Sequence, residues 1–207
     1  MIAEGRVYKP KEPLADQSVQ PFRMGPEGGV IVQTAHGSDY LSAINESTYF
    51  ASTPGPTGVT TTVATATTYT GLCLSNPIGS GVILAVKHVH AAFGVVFPAA
   101  AFIGLMGGYH STTDVVHTTP ALTYNAKLGT GGTGKGKCDS AATLPVAPTV
   151  ILTFGSCLAS AAGDFEDNFS GGLQLPPGAF IAIYTSTISG ASALMATMSW
   201  EEINKGA

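Results

Sequence analysis

The chain has 207 residues, of which 44% are hydrophobic and only 11% are charged, and its formal net charge at pH 7 is -4. An average soluble domain has roughly 25% charged residues, so charge is strongly depleted here. A net negative charge with only nine Lys and Arg residues argues against a nucleic-acid-binding protein. The low charge predicts that neighbouring proteins cover much of the surface, because the cores of interfaces are depleted in charged residues.

Residues 1–27 are interrupted by four prolines, and their apolar residues follow no sustained period, so we predict an extended N-terminal arm. Such a segment cannot build a core of its own, so we expect either the flank of the domain or a neighbouring subunit to hold it. The predicted interface residues of the arm are apolar: Val7, Tyr8, Leu14, Val19, Phe22 and Met24. The first residues lack the apolar run of a signal peptide, which predicts folding in a reducing cytoplasm.

Residues 28–207 are predicted to form a single β-sandwich domain, because short strand-like segments alternate with turn residues and no helical period is present. The favoured fold is an antiparallel sandwich of about eight strands, most simply a jelly roll. The predicted strands are VIVQT (30–34), DYLSAINESTYFA (39–51), VTTTVATATTYT (59–70), LCLSN (72–76), GVILAVKHVHAAFGVVF (81–97), AFIGLM (101–106), TDVVHTTPALTYN (113–125), APTVILTFGSCL (147–158), GAFIAIYTS (178–186) and ALMATMSWEEI (193–203).

The most apolar stretch, HAAFGVVFPAAAFIGLMGGY at 90–109, approaches the length of a membrane-spanning helix. It contains Gly94, Pro98 and Gly104, with β-branched and aromatic residues between them. Two buried strands joined near Pro98 explain this pattern better than a membrane helix.

The segment GTGGTGKGK at 129–137 has most of the spacing of a phosphate-binding loop. Gly136 stands where that motif needs Ser or Thr, and the flanking sequence favours neither a buried strand before the segment nor a helix after it. We therefore interpret GTGGTGKGKCDSAAT as a mobile or surface-lying connection that Lys127, Lys135 and Lys137 keep solvated.

His88 and His90 are two residues apart, so a strand places both imidazoles on one face, together with Val82, Leu84 and Val86. Such a pair suits a metal site, and His110 or His117 is a possible third ligand. The alternative is that the histidines pack or lie in an interface, which the absence of a third local ligand favours.

The only tight acidic cluster is Asp164, Glu166 and Asp167 in AAGDFEDNFSGG. Oxygen ligands at this density suit calcium, but the longer ligand series of an EF-hand is missing. We interpret these side chains as solvated loop carboxylates, and we predict neither a metal nor a cofactor.

The three cysteines, Cys73, Cys138 and Cys157, have no CxxC spacing, so buried free thiols are expected. The sequence contains no GxSxG motif and no recognisable nucleophile, and we do not predict an enzyme.

Two segments resemble small structural proteins of tailed-bacteriophage virions. CLSNPIGSGVILAVKHV (73–89) has a turn before a long apolar strand, and LQLPPGAFIAIYTS (173–186), followed by SWEEI (199–203), is similar to the final hairpin of that group. The resemblance implies a non-enzymatic capsid decoration or cement protein, located in the virion, that binds major capsid or other virion proteins. It also implies a homo-oligomer, with a trimer as the expected state.

The alternative is a carbohydrate- or receptor-binding β-sandwich module of a tail or head fibre, in which tyrosines, Trp200 and the acidic segment form the site. Neither alternative involves nucleic acid or a membrane.

Overall fold

In a computed structural model of the chain, the described residues contain thirteen β-strands and no helix. The structure describes residues 4–5, 20–21, 47–53, 58–61, 65–94, 97–129, 133–159, 161–190 and 193–204. Within these ranges, no helix is long and apolar enough to cross a membrane. The strands are β1 (Glu4–Gly5), β2 (Gln20–Pro21), β3 (Thr48–Ser52), β4 (Thr68–Ser75), β5 (Val82–Phe93), β6 (Ala101–Tyr109), β7 (Val116–Pro120), β8 (Thr123–Asn125), β9 (Lys137–Thr143), β10 (Thr149–Cys157), β11 (Gly163–Leu175), β12 (Ala179–Thr185) and β13 (Leu194–Asn204).

Eleven of these strands form two antiparallel sheets that pack against each other, which confirms the predicted β-sandwich. The six-stranded sheet has the order β10-β6-β12-β4-β9-β7, and the five-stranded sheet has the order β11-β5-β13-β3-β8. The predicted pair of strands around Pro98 is also confirmed, since β5 ends at Phe93 and β6 begins at Ala101. The jelly-roll assignment remains a prediction.

Within the predicted arm, the structure describes only β1 and β2, which pair antiparallel. Glu4 lies opposite Pro21, and Gly5 lies opposite Gln20. The six predicted interface residues of the arm and the predicted strand at 30–34 lie outside the described residues.

The main core lies between the two sheets and contains the largest apolar side chains, among them Trp200, Phe93 and Phe97. The rings of Phe93 and Phe97 are 5.0 Å apart between centroids, and Tyr49 stacks on Trp200 at 6.1 Å. Each aromatic side chain removes a large apolar area from water, which is the main source of stability in such a fold.

The six-stranded sheet is also apolar on its outer face. A second buried cluster there includes Tyr69, Met106, Phe180 and Tyr184. Two residues just outside the strands are buried in the same cluster: Val115 precedes β7, and Leu144 follows β9. This sheet is therefore covered on both faces, which explains why AFIAIYT of β12 is buried at every position.

A β-bulge in β5 corrects the predicted orientation of the histidine pair. Ser199 lies opposite His88 and its neighbour Trp200 lies opposite Val86, so Lys87 is an extra residue in β5. An extra residue reverses the alternation of faces along a strand. As a result Val86 points into the core, whereas His88 and His90 point outward on the other face.

Two segments that the sequence predicts as loops are strands. Lys137–Thr143 forms β9 inside the six-stranded sheet, between β4 and β7, although KCDSAAT contains few residues that favour strands. The acidic segment lies in β11, a thirteen-residue edge strand whose side chains alternate between exposed and half-buried. Pairing with neighbouring strands decides both cases, because strand propensity is weak compared with tertiary context.

Two predicted strands are shorter or divided. The segment 113–125 forms β7 and β8, which belong to different sheets, because Pro120 cannot continue a ladder of hydrogen bonds. The segment 59–70 contributes only its last residues to β4, which begins at Thr68. Thr65 has a φ of 72°, a left-handed conformation that is incompatible with a continuous strand.

Candidate functional site

The two sequence candidates, the histidine pair and the acidic segment, lie side by side because β11 pairs with β5. Asn168 lies opposite His88, and Glu166 lies opposite His90. Each histidine contacts the carboxylate one step diagonally along β11: His88 Nε2 is 3.6 Å from Glu166 Oε2, and His90 Nε2 is 2.5 Å from Asp164 Oδ1. Side chains at such diagonal positions are within reach of each other across a sheet.

The geometry does not support a metal site at the histidine pair. The rings of His88 and His90 are nearly parallel, with centroids 6.3 Å apart, and each ring contacts its own carboxylate. His110 accepts a hydrogen bond from the Thr113 N–H, and His117 pairs with Asp139, so both are engaged elsewhere. In the part of the chain that the structure describes, no group of three or more His, Cys, Asp or Glu side chains is arranged to hold a metal ion.

The three carboxylates of the acidic segment do not act as one cluster. Asp164 and Glu166 lie on the outer face of β11, whereas Asp167 lies opposite the buried residue Val89, on the other face. Alternation along the strand separates them, since successive side chains point to opposite faces. Phe165 packs on that other face against Phe93, at 6.5 Å between ring centroids.

The histidine pairs belong to a larger exposed surface, the open face, which we define as the outward side of the five-stranded sheet. One row across all five strands places Asn168, His88, Ser199, Phe50 and Tyr124 opposite one another in turn. The last two are 39% and 51% exposed. The open face thus combines paired ionisable groups at one side with exposed aromatic rings at the other.

Trp200 does not contribute to any surface site. Its side chain is fully buried in the core, so it cannot contact a ligand as the carbohydrate-binding alternative supposes.

Part of the glycine-rich segment forms an anion cradle, and Glu202 of β13 supplies the anion. Its Oε1 accepts hydrogen bonds from the backbone N–H of Lys135 at 2.6 Å and of Gly136 at 2.8 Å. The indole Nε1 of Trp200 donates to the same oxygen at 3.3 Å. A side chain at Gly136 has no room, since a Cβ atom there lies 2.9 Å from that nitrogen and 3.0 Å from Leu84.

These contacts favour the interpretation of the segment as a connection that lies on the surface of the domain. Among its described residues, Gly134 and Gly136 are buried, whereas Lys135 and Lys137 are exposed as predicted. Strand β9 follows the segment, so the helix N-terminus that a phosphate-binding loop requires is not present there.

A further ionisable pair, with a buried carboxylate, lies in the six-stranded sheet. His117 of β7 contacts the Oδ2 atom of Asp139 in β9 at 2.6 Å. The Asp139 side chain is fully buried, and its Oδ1 has no hydrogen-bond partner. Burial raises the pKa of Asp139, while the hydrogen bond and charge of His117 oppose that rise. The pair joins edge strand β7 to β9.

The three cysteines are free and buried, as predicted. Burial raises the pKa of the Cys73, Cys138 and Cys157 thiols, which disfavours the reactive thiolate form.

Apolar side chains are exposed where β10 and β6 form the border of the six-stranded sheet. We name this surface the β10 edge and define it by Phe102, Val150, Ile151 and Leu158, which are 61%, 41%, 51% and 73% exposed. They are spread along the border, since Val150 lies opposite Met106 and Ser156 lies opposite Phe102, and exposed apolar side chains along such a border favour contact with protein.

Searches among family models, curated proteins and solved structures find no match to this chain.

Sequence reasoning missed Glu202 and Asp139. Glu202 lies in a strand-like segment that gives no local indication of a partner more than sixty residues away. Asp139 lies in KCDSAAT, where a single carboxylate followed by small uncharged residues is the only signal. Both roles depend on long-range strand pairing, which local patterns do not contain.

Proposed function

We propose that this protein is a non-enzymatic structural component of a tailed-bacteriophage virion, most simply a capsid decoration or cement protein that binds neighbouring subunits. The proposal begins from the resemblance of CLSNPIGSGVILAVKHV and LQLPPGAFIAIYTS to such proteins. One structural observation supports it above the others: large apolar side chains are exposed along the β10 edge of a chain with only 11% charged residues.

Exposed apolar residues of this kind are expected in a protein whose surface is covered by neighbouring subunits of an assembly. Phe102 and Leu158 are more than half exposed, and covering them by another subunit removes apolar area from water. Low charge lowers the desolvation penalty of such a contact, since few ions have to be buried. We propose a homo-oligomer, with a trimer as the state that the resemblance implies, and major capsid or other virion proteins as partners.

The direct test is to purify virions from the source phage and to quantify the chain by mass spectrometry against the major capsid protein. The proposal expects many copies per particle and a lower thermal stability of particles that lack the gene. Absence of the chain from particles that are otherwise complete contradicts the proposal.

The second candidate is a carbohydrate-binding module, and the open face favours it. Exposed aromatic rings suit the apolar faces of sugars, and the His–carboxylate pairs offer hydrogen bonds to hydroxyl groups. Phe50 and Tyr124 are the proposed rings, and His88 and His90 the proposed polar partners.

Binding to a saccharide array tests this candidate. Tyr124→Ala should abolish any saccharide-dependent thermal shift, whereas Tyr109→Ala, which removes a similarly exposed tyrosine from the other sheet, should preserve it. A saccharide response that both variants retain contradicts a site on the open face.

A further inference from the structure

The four edge strands of the two sheets differ in their protection against pairing with another chain. An edge strand presents unpaired N–H and C=O groups, and proteins usually protect it by short length, proline or charge. Strand β8 has three residues, and β7 has five and ends in Pro120. Strand β11 carries Asp164, Glu166 and Asp167. Strand β10 has nine residues, TVILTFGSC, without proline, lysine, arginine, histidine or carboxylate.

The outward edge of β10 has no strand beside it among the described residues, since β10 pairs only with β6. Two bulges interrupt that pairing, one between Val150 and Leu152 and one between Thr153 and Gly155. Bulges often protect an edge, but here the extra residue Ile151 is 51% exposed and apolar, which favours contact with protein. The strand is long enough to span about 30 Å.

We propose that β10 pairs antiparallel with β10 of a second copy of this chain, across a two-fold axis. Self-pairing of this kind places each residue of the strand near a residue of the same strand in the other copy. Because β10 has no charged residue, the pair contains no like-charge contact, whereas self-pairing of β11 would bring carboxylates together. The contact joins two six-stranded sheets and brings the exposed apolar side chains of β10 beside those of the other copy.

A second copy is a better partner than an unrelated strand, because two uncharged, apolar β10 edges can meet without burying a charge. The inference rests on the homo-oligomer of the proposed function, but a purified chain tests it apart from any virion role. A two-fold contact is separate from a three-fold one: alone it gives dimers, and together with the proposed trimer contact it gives assemblies with an even number of chains.

The first experiment measures the mass of the full chain by light scattering and sedimentation over a range of concentrations. The expected mass is twice 21.0 kDa or a larger even multiple. Ile151→Lys should weaken the association at least tenfold, because it places a charge of each copy in an apolar contact that otherwise contains none. Val116→Lys, at a similarly exposed apolar residue of the β7 edge, is the matched control and should leave the association unchanged. Circular dichroism checks that both variants fold.

The second experiment maps the contact with a short bifunctional maleimide. Single cysteines replace the exposed residues Val150, Thr153 and Ser156, since the native thiols are buried. A symmetric antiparallel pair should give covalent dimers from these variants, with the highest yield at the position nearest the two-fold axis. Thr118→Cys on β7 should give none.

A monomeric mass at high concentration, aggregates of no defined mass, or association that Ile151→Lys leaves unchanged overturns the inference. Dimers that cross-link through β10 in a protein that is absent from virions support the inference and contradict the proposed function. If the protein is incorporated into virions but is monomeric in solution and gives no β10 cross-link on the particle, the proposed function is supported and the inference is contradicted.

Discussion

The contact between Glu202 and the glycine-rich segment leads to a specific stability prediction. Replacing Glu202 with alanine removes the oxygen that accepts hydrogen bonds from two backbone N–H groups and from the Trp200 indole. The N–H of Gly136 is then left in a partly buried place with no partner, whereas the N–H of exposed Lys135 regains water.

The size of the effect follows from these environments. An unsatisfied buried N–H costs roughly 1–3 kcal/mol, and the loss of a weaker or solvated hydrogen bond costs about 0.5–1 kcal/mol. The free energy of unfolding of Glu202→Ala should therefore fall by about 2–4 kcal/mol, which lowers the melting temperature of a domain of this size by roughly 4–16 °C. Glu202→Gln keeps an acceptor oxygen and should lose only about 1 kcal/mol.

Urea denaturation gives the free energies, and hydrogen exchange reports the amides of Lys135 and Gly136 directly. Both amides should exchange faster in Glu202→Ala than in the wild type. The matched control is Glu166→Ala, which removes a carboxylate that is 74% exposed and should change stability little. Equal stability of Glu202→Ala and the wild type, or equal losses in the alanine and glutamine variants, refutes the cradle as a stabilising contact.

Three more outcomes can be measured on the same domain. Burial raises the pKa of Asp139 above its ordinary value of 3.8, so the folded protein holds this proton more tightly than the unfolded chain. The stability of the wild type relative to Asp139→Asn should therefore fall as the pH rises from about 4 through the raised pKa. Urea titrations that show a rising difference contradict this. Gly104→Ala should lose about 3 kcal/mol or more, because a Cβ atom there overlaps the backbone carbonyl of Leu152 in β10. Gly94→Ala is the control: a Cβ atom there meets no atom within 4 Å, so its free energy of unfolding should stay within about 0.5 kcal/mol of the wild type. Thermal denaturation measures both glycine variants. Deletion of residues 2–24 should leave the sandwich folded but lower the particle-bound fraction, and unfolding of the isolated truncated domain would refute an intersubunit role.

The fold class could be predicted because apolar alternation and turn residues are local signals. β12 and β13 were predicted within one residue of their observed ends, since their apolar runs are bounded by turn residues. β9 and β11 were missed for the opposite reason: KCDSAAT is too polar, and GDFEDNFSGGLQL contains carboxylates and glycines that are typical of loops.

The candidate site was only half predictable. The spacing of His88 and His90 correctly placed both rings on one face, but it assigned that face to the apolar residues preceding them. The bulge at Lys87 decides the orientation, and it depends on the register of β13 against β5, with Trp200 fixed in the core. Register is a property of the whole sheet, so no local window of sequence contains it.

The two sheets expose different surfaces to partners, and this difference separates the two candidate functions. The six-stranded sheet covers its outer face with its own buried cluster, and Phe102 and Ile151 are among the apolar side chains that stay exposed at its β10 border. The five-stranded sheet leaves its aromatic and ionisable side chains on the open face. If assembly is the function, Ile151→Lys should impair it while Tyr124→Ala has no effect, because the required contact is between strands. If the protein binds saccharides as independent domains, the two substitutions should have the reverse effects, since a sugar needs the rings of the open face and no second copy.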